Sequence, residues 1–198
     1  NFGFVATGRF PYVAQQTDGG EFTVIYPPDG EALARSVLDT AKEAAAFYKK
    51  RMGFFPALSF TAVPGNKRWV GGCPIANGMV HFHGMQRIKG AFGYDNWIVA
   101  HELAHQYFGE RVDFSRISWV WLGLGLSLDH AFMRETGRDM GVYARFARLL
   151  REAVTQGRAG IPQDEARLRA LLADESFDYN TNVLHAKAVA IMLALQET

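Results

Sequence analysis

The pattern that most constrains this chain is five residues long: His101-Glu102-Leu103-Ala104-His105. Two imidazoles four residues apart reach one point only if the backbone between them is helical. The flanking sequence supplies that helix. Asp95 or Asn96 can cap it, Trp97-Ile98-Val99-Ala100 gives it an apolar body, and Gly109 is placed to stop it. The pattern therefore predicts a helix over Asn96–Phe108, with both histidines on one face.

Two such histidines can hold one zinc ion. Glu102, beside the first of them, can take a proton from a water that the ion polarises, for attack on a peptide carbonyl. The plainer alternative is a surface helix carrying two incidental histidines. A catalytic zinc site has three protein ligands and one open position, so a third ligand must come from elsewhere. The extended pattern HExxHxxGxxH would need Gly at 108 and His or Asp at 111, where the chain has Phe108 and Arg111. Glu110 lies too close along the same segment. Asp113, Asp129, His130 and Glu135 stand as candidates by distance alone.

The rest of the chain sets the frame. Residues 1–26 read as strands, with Phe22, Val24 and Tyr26 alternating. Pro27-Pro28-Asp29-Gly30 breaks them, and Asp29 can cap a helix over Glu31–Met52. Its apolar stripe is Leu33, Val37, Ala41, Ala44, Ala45, Tyr48 and Met52, and Gly53 is placed to end it. Ala57–Val63 alternates as a strand that Pro64 should end. Residues 64–78 read as loop, with a short strand at Arg68–Val70. Met79–His83 is a strand with Val80 and Phe82 on one face and Met79, His81 and His83 on the other. Helices are expected at Trp121–Glu135, Val142–Gln156, Gln163–Ala173 and Val183–Gln196. Strands first and helices afterwards predict an α+β fold rather than a repeated βαβ array.

Composition narrows the function classes. With 198 residues the chain is long enough for one domain with its own core. Lys plus Arg is 21 against 20 Asp plus Glu, a net charge of +1, and no basic run favours nucleic acid. No apolar run reaches the ~18 residues of a membrane span. The one cysteine, Cys73, excludes an internal disulfide framework and a Cys-based zinc ribbon, and reads as structural. Arg145, Arg148, Arg151, Arg158, Arg167 and Arg169 read as a solvated helical face. Beginning at Asn1 without a leader, the sequence reads as a soluble fragment of a longer chain. Its compartment stays open between extracytoplasmic and part of a larger membrane-associated protein.

Residues Asn96–Gly109 resemble the zinc helix of the aminopeptidase N family of gluzincin metallopeptidases, which reads "AHELAHQWFG". Ser118–Ser127 is similar to that family's "WLNEGFA" helix, and Ala45–Phe60 to the segment leading into its catalytic sheet. The resemblance implies a thermolysin-like catalytic domain over residues 27–198, with a small mixed sheet lobe followed by a helical lobe. Residues 1–26 would be the end of a preceding β domain or leading strands. It also implies one zinc ion and a peptide or protein substrate.

Three positions depart from the family pattern. The family's third zinc ligand is a Glu nineteen residues after the second His, and here that position is Leu124, which cannot ligate. Asp129 falls about 140° from it around a regular helix. The family's amine-binding Glu corresponds to Ile75 within Gly72–Val80, so Ile75 and Gly78 mark a substrate edge without that charge. His81 and His83, on the next strand, would line the same groove, or one of them would complete the metal site. The family's transition-state tyrosine corresponds to His185, with Tyr179 as the alternative. His185 could donate a hydrogen bond to an oxyanion or serve as a replacement third zinc ligand. Two readings follow. One is a hydrolase with metal on His101 and His105 and Glu102 as base. The other is a pseudopeptidase that binds peptide or a partner protein without cleavage.

Overall fold

The computed structural model describes residues 9–55, 59–65, 71–76, 78–83, 94–108, 118–157 and 177–197. Among these residues five strands are seen: β1 (Tyr12–Thr17), β2 (Gly20–Ile25), β3 (Ser59–Gly65), β4 (Gly71–Ala76) and β5 (Met79–His83). Five helices accompany them among the described residues: α1 (Glu31–Met52), α2 (Tyr94–Ala104), α3 (Ser118–Glu135), α4 (Gly141–Thr155) and α5 (Phe177–Gln196). The class is mixed α+β, with the sheet early and the helices late.

The strands form one sheet in the order β1-β2-β3-β5-β4. β1 and β2 make an antiparallel hairpin, and β4 and β5 another. Between the hairpins, β3 runs parallel to β2 on one side and to β5 on the other. α1 is the crossover that a parallel β2–β3 pair requires. A single βαβ unit is therefore set between two hairpins.

α1 begins differently from expectation. Its N-cap is Gly30, without a side-chain cap. The entry is held instead by a tight turn, in which Gly30 N–H donates to the Pro27 carbonyl at 2.8 Å. The end is as the sequence predicts: Gly53 takes φ 82° and its N–H closes on the Lys49 carbonyl. The buried face is Ala34, Val37, Leu38, Thr40, Ala41, Ala44, Ala45 and Tyr48, with Leu33 and Met52 at its margins.

β3 does not stop at Pro64 but runs on to Gly65. A proline has no N–H to give to a ladder and is tolerated where one side of the strand is unpaired. That is its situation here, because pairing with β2 ends at Ala62 while pairing with β5 continues through Pro64 and Gly65. The segment taken for loop holds β4, displaced from the strand expected at Arg68–Val70. Positions 68–70, like the helix expected at Gln163–Ala173, lie outside the described residues.

α1 packs on β1 and β2 and against α2, and α2 reaches β4. α3 lies against α2 and α5, and α4 against α5. An aromatic cluster joins the lobes. Tyr48 of α1 meets Tyr107 and Phe132 with ring centres 6.0 Å apart in each case. Its hydroxyl donates to the Ala100 carbonyl at 3.0 Å, which ties α1 to the helix carrying the histidines.

Candidate metal and catalytic site

α2 starts at Tyr94, a little earlier than the caps at Asp95 or Asn96 would set it. Asn96 is used elsewhere: its Oδ1 accepts from Thr40 Oγ1 at 3.0 Å and from Arg138 Nη1. One residue thus joins α1, α2 and the segment after α3. Past Ala104 the helix tightens into turns that still carry His105, whose N–H reaches the His101 carbonyl at 3.2 Å. Both histidines remain on one face, and they and Glu102 are all buried.

The two Nε2 atoms face each other at 3.0 Å. The outer nitrogen of His101, Nδ1, lies 2.7 Å from Asp129 Oδ2 on α3. That contact settles the Nδ1 side of the ring on the carboxylate and turns Nε2 toward His105. Trp97 stacks on His101 with ring centres 4.9 Å apart, and Trp121 stacks on His105 at 3.9 Å. Two indoles therefore hold the two imidazoles in fixed planes.

Two glycines make room. A Cβ on Gly125 would lie 2.8 Å from His105 Cε1, so α3 can pass this ring only without a side chain there. A Cβ on Gly72 would lie 2.5 Å from Glu102 Cγ, so β4 runs its bare backbone against the carboxylate. From the same hairpin, Gly78 (φ 85°) donates its N–H to Gln106 Oε1 at 2.9 Å. The β4–β5 hairpin is thereby pinned to the helix that carries the two histidines.

Burial governs the electrostatics. It holds the Glu102 carboxyl up at about 8 and the His105 imidazole down at about 3, with the Phe108 backbone opposing the second shift. His101 is also pushed well below the ordinary histidine value, first by burial and then by the neighbouring His105 and His185. Asp129 is pushed up by burial, and the Trp97 side chain pulls the other way. Among the described residues, Glu102 Oε2, Asp129 Oδ1 and His105 Nδ1 are buried without a hydrogen-bond partner.

His101 and His105 are placed to supply two ligands to a divalent ion, while among the described residues no group of three or more His, Cys, Asp or Glu side chains is placed to hold one. Two nitrogen ligands at ~2.0–2.1 Å from one zinc, at a tetrahedral angle, stand roughly 3.3–3.4 Å apart. The observed 3.0 Å separation of the inner nitrogens needs only a small opening of the pair. A ligand histidine with its outer nitrogen on a carboxylate is the usual supporting arrangement. Imidazoles held off protonation are also ready to coordinate, because only the neutral ring ligates.

The remaining expected residues separate into groups. Leu124 lies on α3, half-buried, where it offers no donor side chain. His185 on α5 is brought to the site, with its ring centre 5.8 Å from that of His101. Ile75 falls at the bulge between β4 and β5, where the register slips between Pro74 and Ala76. His81 and His83 alternate along β5 with buried Val80 and Phe82. The side chains of Ile75, His81, His83 and Tyr179 lie outside the described set. So does Asp113, whereas Glu135 is drawn away by Arg51, its Oε1 lying 2.9 Å from Nη1. His130 packs edge-on against Tyr143 at 4.7 Å.

Sequence reasoning tested Asp129 only as a direct ligand and set it aside on helix angle, so its contact with His101 was missed. The available signal was a lone carboxylate inside the apolar run Leu122–Met133, since a buried charge needs a partner. The stacking roles of Trp97 and Trp121 and the clearances at Gly72 and Gly125 had no such signal.

No family model and no curated protein matches the sequence. Among solved structures the chain is similar in fold to an aminopeptidase N family protein from Idiomarina loihiensis. The TM-score is 0.59 at 14% identity, over 95% of this chain and 37% of that one. At that identity the likeness concerns the fold alone, and the chain spans little more than a third of that protein's length. Among the described residues no helix is long and apolar enough to cross a membrane.

Proposed function

We propose that this chain is a metallopeptidase-like domain of the gluzincin type, with a thermolysin-like arrangement of sheet lobe and helical lobe. The observation that supports this most directly is the pair of inner nitrogens facing each other at 3.0 Å, with His101 backed by Asp129 at 2.7 Å. His101 and His105 would hold one zinc ion. When bound, the ion supplies Lewis-acid polarisation of a peptide carbonyl and lowers the pKa of water at the site. With a cation beside it to offset the burial that favours its protonated form, Glu102, one residue from the first ligand and walled by β4, would accept the proton of the attacking water and pass it to the leaving amine. Trp97 and Trp121 keep solvent from the two imidazoles. The absence of a carboxylate at Ile75 argues for internal cleavage or blocked N-termini over selection of a free amino terminus.

The second reading is a pseudopeptidase that holds a peptide or a partner protein without cutting it. Leu124 at the family's ligand position favours it.

Zinc analysis of chelator-free protein, with His101→Ala beside it, tests the metal. A peptide-cleavage screen with Glu102→Gln as the negative tests the chemistry. Stoichiometric zinc lost in His101→Ala, with cleavage lost in Glu102→Gln, supports the hydrolase. Peptide binding without cleavage in the zinc-loaded protein supports the pseudopeptidase. No zinc in the unsubstituted protein overturns the metal reading.

A further inference from the structure

We propose that His185 is the third metal ligand, so that the centre consists of three imidazoles in place of two imidazoles and a carboxylate. The inference rests on the metal reading above and deepens it by assigning the ligand that Leu124 cannot supply.

The argument begins with packing. A Cβ on Gly123 would lie 2.7 Å from Met192 Cγ and 3.0 Å from the Ala188 carbonyl. The missing side chain is what lets α5 lie against α3 at this level. Ala188 follows His185 by about one helical turn, on the same side of α5. The close approach at Gly123 therefore carries His185 to the level of the histidine pair. Two residues further along α3, the clearance at Gly125 admits the His105 ring. Glycines on either side of Leu124 thus bring a ligand helix in from each flank.

The rings are also arranged for it. His185 packs parallel to Phe146 (ring centres 6.0 Å apart, 23° between planes), and Phe146 packs edge-on against Trp97 at 5.6 Å. Trp97 stacks on His101, so one aromatic wall backs both imidazoles. The His185 and His101 ring centres are 5.8 Å apart. Three imidazoles bound tetrahedrally hold their ring centres roughly 5 Å apart. Among the described residues no three His, Cys, Asp or Glu side chains already meet at one point. Ligation by His185 therefore requires its ring to turn inward toward the pair, a side-chain rotation open to a half-buried histidine. The only buried acids among the described residues are Glu102 and Asp129. Asp129 holds His101 through Oδ2 and Glu102 is assigned as the base, and His185 brings a further nitrogen donor beside the pair.

Cobalt(II) added to metal-free protein reads coordination without turnover. The set is the unsubstituted chain, His101→Ala, His185→Ala, His185→Gln, and His185→Ala combined with Leu124→Glu. Visible absorption reports affinity and geometry, X-ray absorption counts imidazoles, and circular dichroism checks folding. The expected result is three imidazoles in the unsubstituted chain. Both His185 variants should show two, with affinity lowered at least about tenfold, and Leu124→Glu should recover much of the loss. Three imidazoles or unchanged affinity in His185→Gln overturns this inference alone, while His101→Ala still loses metal. Equal cobalt binding by the unsubstituted chain and His101→Ala overturns the metal reading, and this inference with it.

Discussion

His101 Nδ1 lies 2.7 Å from Asp129 Oδ2, across the interface between α2 and α3. Both side chains are buried, so neither ring nor carboxylate finds water as a substitute partner. The contact sets the plane of the imidazole and aims Nε2 at the space it shares with His105. Replacing Asp129 by Asn keeps the volume and removes the charge. Zinc affinity should fall by roughly 10–100-fold, the range for loss of a partner behind a ligand. Competition with a chromophoric chelator measures it, and unchanged affinity would show that Asp129 plays no part in the metal site.

Gly125→Ala tests the clearance on the other histidine. The new Cβ would stand 2.8 Å from His105 Cε1, and Trp121 stacked at 3.9 Å blocks retreat of the ring. Overpacking of this kind costs about 1–3 kcal/mol. Chemical denaturation should show that loss, and zinc titration should show weakened binding. A stable variant with normal zinc affinity would mean that the helices part more easily than their packing implies.

Gly53→Ala isolates a backbone effect. Nothing lies within 4 Å of a Cβ there, so the change adds no clash. The residue must hold φ 82° to close α1, a conformation that costs an L side chain roughly 1 kcal/mol. Stability should fall by about that amount with no effect on metal binding. A neutral result would show that α1 ends equally well another way.

His130 supplies a pH prediction away from the ligands. Its folded value lies below the ordinary 6.5, first because of burial and then because of Arg134. The unfolded chain therefore takes up this proton before the folded one does. The stability tied to His130 is complete above about pH 6.5 and is lost as the pH falls from there through the lowered folded value. Its imidazole resonance in NMR should titrate below 6.5. Arg134→Gln should raise the midpoint only in part, because burial is the larger cause. A midpoint at or above 6.5 would contradict the packing against Tyr143.

Much of the frame was legible in the sequence. Helical periodicity located α1 to the residue at both ends, and period-two alternation located β2 and β5. The misreadings share a cause. Asp29 carries a capping side chain, but the turn at Pro27–Gly30 already holds the helix entry. Pro64 ends strands that are paired on both sides, and only the pairing pattern reveals that one side is free. Asp129 was judged against a position on its own helix, while its partner lies 28 residues earlier on another.

By itself the sequence determined that His101 and His105 share one helical face, because that follows from a local repeat of 3.6 residues per turn. It also determined that position 124 holds no ligand, because leucine has no donor atom. Only the tertiary structure decided which acid turns His101, which indoles fix the rings, and which glycines admit them. The same packing brings His185, 80 positions after His105, to 5.8 Å from His101. These relations depend on how α2, α3 and α5 pack, and contacts between helices leave no periodic trace along the chain.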